Sequence, residues 1–288
     1  MLGGGGYGWA TRRGTKLRPR AVELVRRSNP SLINPPHISI KMTSVIKPAP
    51  SHTLPKCCAI PPLTSTYEPK GSMVKIADLD CYSAGPVDSE TVIVAIYDIF
   101  GILPNTQQGC DVLAETLKCR VVMPDWFKGN AVQMPITDMD AVYKFVYANL
   151  YPAHEAAFKT LIEQLKTDGA KKLGAYGFCW GSKILLQADA FFGGIALVHP
   201  SLLEDSDADN VKCPVALLPS KEETVEKCAG FWEKLEKKEF AAKNMYKRYD
   251  DVAHGFAAAR SDWSEGKLEG ERARDVYQTM SEWFKAVL

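Results

Sequence analysis

A chain of 288 residues, 46% hydrophobic and 24% charged, has the make-up of an ordinary globular protein and the length of one large α/β domain. Its net charge of +1 is unevenly divided: residues 1–50 carry +8 and the rest −7, so the foldable part is mildly acidic and gives no nucleic-acid footprint. Apolar runs stay shorter than the roughly 18 residues of a transmembrane helix, and the eight cysteines include no C-x-x-C pair and no spacing of a disulfide framework, which points to a reducing, cytoplasmic setting without a metal.

Residues 1–56 read as an extension. They hold Gly3-Gly4-Gly5-Gly6, scattered arginines and seven prolines, too little apolar surface to offset the entropy of ordering. The Arg-rich, acid-poor start also fits a mitochondrial transit peptide, or a leader upstream of a protein that begins at Met42. A chain starting at Ser72 is therefore expected to fold as the whole does. The domain is assigned to 57–288, with regular structure from about residue 70.

Residues 73–79 alternate in part, as an edge strand does. Residues 91–97 form a continuous β-branched and apolar run, the pattern of a strand buried on both faces. A helix follows at about 105–118, then a short strand at 120–123 stopped by Pro124-Asp125. Helical spacing returns at 138–150 and 153–167, the latter closed by Asp168-Gly169. Beyond it come a strand at 172–177, a helix at 181–190, strands at 194–198 and 214–218, a helix at 223–238, a strand at 245–249 and a closing helix at 266–288. Strands alternating with helices of ten or more residues imply a mostly parallel central sheet with helices on both faces.

Gly177-Phe178-Cys179-Trp180-Gly181 stands where a strand gives way to a helix. This is the setting of a nucleophile elbow, G-x-Nuc-x-G, with cysteine as the nucleophile. The helix N-terminus favours the thiolate and aims the Trp180 backbone N–H at a developing oxyanion. The glycines match neither the dinucleotide nor the phosphate-loop spacing. Val252-Ala253-His254-Gly255-Phe256 lies on a loop before the last helix, where an α/β-hydrolase carries its base, after nucleophile and acid. Of the other histidines, His37 and His52 fall in the extension, His154 reads as exposed on a helix, and His199 ends a strand near the site in a structural role. The acid should follow the strand at 214–218, where Lys221-Glu222-Glu223 stands; either glutamate can serve, and we assign Glu222.

With these positions in order, the chain resembles the dienelactone hydrolase family, in its fungal branch, over about residues 70–288. Tyr97-Asp98-Ile99-Phe100-Gly101, Pro124-Asp125-Trp126-Phe127, the elbow, the acidic turn and Ala253-His254-Gly255-Phe256 carry the likeness. The resemblance implies an α/β-hydrolase fold and a Cys179–His254–Glu222 triad, with glutamate where the family has aspartate. It implies that Ile99 and Trp180 supply the oxyanion-hole N–H groups and that Asp98 lies against the resting sulfur as a gate. Arg260 stands for an arginine that binds a substrate carboxylate, though farther from the histidine than in the family. The activity implied is hydrolysis of a small lactone or ester through a thioester, without cofactor, nucleic acid or membrane, by a monomer or homodimer. A general carboxylesterase or thioesterase, or a non-catalytic ligand-binding scaffold, are the rival readings.

Overall fold

The computed structural model describes residues 61–288; the extension over 1–56, with its histidines, and Cys57 and Cys58 lie outside the described residues. The strands are β1 (Ser72–Ile76), β2 (Leu79–Ala84), β3 (Thr91–Ile96), β4 (Arg120–Pro124), β5 (Lys172–Phe178), β6 (Ile195–Val198), β7 (Val215–Leu218) and β8 (Met245–Tyr246). The helices are α1 (Pro104–Leu117), α2 (Met139–Ala148), α3 (Tyr151–Thr167), α4 (Trp180–Ala188), α5 (Asp207–Asn210), α6 (Val225–Leu235) and α7 (Leu268–Val287). One sheet runs β1-β2-β4-β3-β5-β6-β7-β8. Its β1–β2 and β2–β4 pairs are antiparallel, and every pairing from β4–β3 to β7–β8 is parallel. This is the α/β-hydrolase fold.

The apolar runs of β5, β6 and β7 are buried at nearly every position, because helices cover both faces of the sheet. α1 packs on α7, and α3 on α4. No helix among the described residues is long and apolar enough to cross a membrane.

Three expectations are corrected. The edge strand read at 73–79 is interrupted: Ala77 turns with φ 52°, and the chain folds back as β2, making a hairpin of what resembles one strand. His154 is buried on α3, its ring edge-on to Trp126 and Trp180. The domain also reaches upstream of Ser72: Leu63 N–H donates to Ala259 O (2.9 Å), while Tyr67 Oη and Lys70 N–H both donate to Asp111 Oδ2 (2.8 Å each).

Candidate active site

Between the end of β5 and the start of α4, Cys179 adopts φ 53°, ψ −115°. A non-glycine residue in such a conformation costs about 1–3 kcal/mol and persists only where its surroundings hold it. Here they do. Cys179 N–H donates to Val198 O (3.2 Å), and Cys179 O accepts from the N–H groups of Ser182 (3.2 Å) and Ser201 (3.1 Å). The flanking glycines are required by contact: a Cβ on Gly177 would meet the Gly181 carbonyl at 2.5 Å, and one on Gly181 would meet Ile96 O at 2.5 Å. Cys179 is partly exposed, whereas Cys81, Cys110, Cys119, Cys213 and Cys228 are buried. Burial pushes the thiols of Cys81, Cys110, Cys119 and Cys213 up to about 12.

β3 and β5 pair in register up to Ile96 opposite Gly177. Asp98 and Ile99 follow β3 and the elbow follows β5, so both segments leave the C-terminal edge of the sheet, where α/β folds bind ligands. Trp180 is anchored: its Nε1 donates to Asn149 O (3.0 Å), and its ring lies against Phe127, with centroids 4.6 Å apart.

The histidine loop is held at several points. His254 N–H donates to Glu222 Oε2 (2.7 Å), and His254 O accepts from Arg260 Nη1 (3.1 Å). The imidazole Nδ1 pairs with Glu223 Oε1 at 2.6 Å, with both side chains nearly buried. Glu223, not Glu222, therefore holds the ring. The turn after β7 closes on itself, with Ser220 N–H donating to Glu223 Oε2 (2.5 Å), and this draws Glu223 inward while Glu222 braces the backbone of the histidine. Burial opposes a charge on His254, but the neighbouring Cys179 sulfur and the Glu223 carboxylate outweigh it and raise the imidazole well above its ordinary value.

Asp98 is held at the site by backbone N–H groups. Its Oδ1 accepts from Phe100 N–H (2.9 Å) and its Oδ2 from Ala259 N–H (3.3 Å), so the carboxylate shapes the turn after β3 and ties it to the histidine loop. Burial raises the Asp98 carboxyl, against the pull of those two N–H groups and of Arg260 and His254. The sulfur lies against the His254 side chain and against Ser201, with Sγ and Oγ 3.1 Å apart; the same Oγ lies 3.4 Å from His254 Nε2. The Arg260 guanidinium, bonded to the His254 carbonyl, also lies 5.3 Å from the centre of the Phe100 ring. His199, with φ 36°, is fully buried between Phe178 and His254, its ring centroid 4.8 Å from that of His254. Among the described residues neither of its ring nitrogens has a hydrogen-bond partner, and burial lowers it well below the usual histidine value. Ser201 has no motif of its own. Its one sequence signal is its place just after a strand, at the edge where Cys179 and His254 also emerge.

A dienelactone hydrolase family model matches residues 79–288. An uncharacterized AIM2 family protein of Schizosaccharomyces pombe is 30% identical over 236 residues, covering 78% of this chain and 94% of that protein. A mouse carboxymethylenebutenolidase homolog is 25% identical over 199 residues, 66% of this chain and 80% of its own length. Among solved structures, a Klebsiella pneumoniae protein described as a dienelactone hydrolase superposes with a TM-score of 0.57 over 72% of this chain and 92% of that one, at 20% identity, a likeness of fold. The family model spans β2 to α7, with the elbow and the histidine loop inside it, and the yeast relative is 30% identical over most of both chains; on that ground the chain belongs to the dienelactone hydrolase family and is a carboxylic ester hydrolase.

Proposed function

We propose that the chain hydrolyses a small lactone or ester by covalent catalysis, with Cys179 as nucleophile, His254 as base and Glu223 as the acid that orients it. The observation that carries this reading is the buried Glu223–His254 pair, whose far nitrogen faces a partly exposed cysteine held in a strained elbow. Glu223 fixes the proton on Nδ1, which leaves Nε2 as the acceptor. The thiolate attacks the carbonyl carbon, and the backbone N–H groups of Trp180 and Ile99 take the oxyanion; one such donor is worth about 3–4 kcal/mol of barrier. The leaving oxygen departs with the proton carried by His254, giving a thioester. His254 then draws a proton from water, which attacks the thioester and frees the acid and the thiolate. Because thiolate itself leaves readily, the first adduct goes forward only when the other group departs easily, so enol esters, unsaturated lactones and aryl esters suit this site. Arg260 braces the histidine loop through its bond to the His254 carbonyl.

Turnover of an aryl ester such as p-nitrophenyl acetate, with the acyl-enzyme trapped by acid quench and mapped by mass spectrometry, tests the proposal. Cys179→Ala should abolish both turnover and trapped acyl group. An acyl group on another residue, or undiminished turnover in that variant, would remove Cys179 from the mechanism.

A further inference from the structure

Trp126 and His154 have no part in the scheme above. They line a cavity of about 380 Å³ between the loop after β4 and the start of α3. Buried Leu79 and Phe127 share its inner wall, and exposed Lys128 and Ala153 stand at its rim. Cys179, Ile99, Ser201 and His254 do not line it. Trp126 is 3% exposed and His154 9%, and neither Trp126 Nε1 nor His154 Nε2 has a hydrogen-bond partner among the described residues. Both rings are fixed. Trp126 lies parallel to Phe158 with centroids 4.1 Å apart, and His154 stands edge-on to Trp126 at 5.8 Å. The other nitrogen of His154, Nδ1, bonds the Asn149 backbone, whose carbonyl also accepts from Trp180 Nε1 (3.0 Å). A bond to a carbonyl requires the proton on Nδ1. Burial and the Lys128 charge hold the ring neutral, so Nε2 presents a lone pair.

The cavity therefore sets one unpaired donor and one unpaired acceptor in an aromatic wall. Buried polar groups carry partners as a rule, because a hydrogen bond left unmade away from water is costly. A hydroxyl is the smallest group that answers both, since its oxygen accepts while its hydrogen donates. A carboxylate has no hydrogen to give Nε2, and Lys128 at the rim opposes an ammonium. The apolar remainder of the inner wall, and a volume in the range of small-molecule sites, suit an aromatic body. We propose that this cavity is a second ligand site, separate from the catalytic centre, that takes a small phenol. The phenol O–H donates to His154 Nε2, its oxygen accepts from Trp126 Nε1–H, and its ring lies along Phe127 and Leu79. Binding is non-covalent, and it holds whichever residue is the nucleophile.

Calorimetric titration of the full chain with phenol and with anisole, which has the same ring and oxygen but no O–H, tests the site. Phenol should bind about tenfold more tightly, because anisole leaves Nε2 unpaired. In His154→Phe that preference should vanish. In Trp126→Phe both compounds should weaken by about tenfold, since both use the indole N–H. Ala153→Leu, an exposed change that α3 accepts, fills the rim and should also weaken phenol by about tenfold, so the test stands even if a buried variant fails to fold. Carbamidomethylation of Cys179 should leave phenol binding unchanged. Equal affinities for phenol and anisole in the native chain overturn the site, as does native phenol affinity in Ala153→Leu. Loss of binding on carbamidomethylation would place the phenol at the catalytic cysteine and overturn it equally.

Discussion

Glu222 and Glu223 are adjacent in the chain but hold different atoms of the same histidine, the first its backbone N–H and the second its Nδ1. Both contacts position the imidazole, yet only the second selects its tautomer and stabilises the charge it gains. Glu223→Gln should therefore lower ester turnover by about 10⁴-fold, the loss seen when a triad base is left in the wrong tautomer. Glu222→Gln should cost far less, since an amide oxygen still accepts the His254 N–H. Equal losses in the two variants, measured as kcat on one ester, would refute this division. Sequence order shows that an acid belongs after β7 but not which glutamate, because the choice depends on Ser220 N–H folding back onto Glu223, a contact that no spacing encodes. His199 gives a second test at this scale. Its protonation is suppressed in the folded state, so below its unfolded value of about 6.5 the unfolded chain binds the extra proton and stability falls with pH, by up to about 1.4 kcal/mol per pH unit. His154, also lowered by burial, acts in the same direction. Urea unfolding between about pH 7 and pH 5 should thus show a shallower loss in His199→Phe than in the native chain, whatever the variant's stability at neutral pH. Parallel curves would mean that His199 is protonated in the fold.

The elbow is where two elements meet with no room to spare. Helix α4 approaches β3 so closely that a Cβ on Gly181 would lie 2.5 Å from Ile96 O and 2.7 Å from Tyr97 O. Both obstructing atoms are backbone, so Gly181→Ala must move the helix, and with it the Trp180 N–H that we propose takes the oxyanion. Misplacing a preorganised donor costs about 10²–10³ in kcat. We expect a loss of that size with KM little changed, read by steady-state kinetics on an aryl ester; a native kcat would show that α4 is not fixed by this contact. The same elbow was legible in the sequence because its glycines answer a steric demand that permits no other residue. The buried strands β3, β5, β6 and β7 were legible too, as unbroken apolar runs. The β1–β2 hairpin was not. Its turn is Ala77-Asp78, with no glycine or asparagine at the left-handed position, and the alternation of 73–79 runs through it without a break. Likewise β8 pairs over only two residues, although an isolated bridge from Ser220 to Tyr249 continues its direction, so the strand read at 245–249 is mostly loop that follows the sheet edge.

At the scale of the molecule, residues 61–71 are a strap along the domain rather than part of its approach. Asp111, buried on α1, accepts from Tyr67 Oη and Lys70 N–H at one oxygen and from Tyr82 Oη at the other, at 2.6 Å. Leu63 is joined to the histidine loop at Ala259 and, through its carbonyl, to the Asn105 side chain (3.3 Å). Asn105 in turn donates to Ala259 O and Ser261 O, so the strap, α1 and the segment carrying Arg260 share one cluster of hydrogen bonds. A chain beginning at Pro61 keeps this cluster; one beginning at Ser72 loses the Leu63, Tyr67 and Lys70 contacts and leaves Asp111 with one of its three donors. Hydrogen bonds to a charged group contribute about 1.5–3 kcal/mol each, and a domain of this size shifts by about 2–4 °C per kcal/mol. Removing two such bonds should therefore lower Tm by about 6–24 °C, most of it in the step from the Pro61 start to the Ser72 start. Because Ala259 also donates to Asp98, the shorter chain should lose ester turnover along with Tm, whereas the Pro61 chain should match the full chain in both. Thermal unfolding of the three chains with kcat measured on the same preparations distinguishes the cases. Equal Tm values for the Pro61 and Ser72 chains would show that the strap rests on the domain without supporting it.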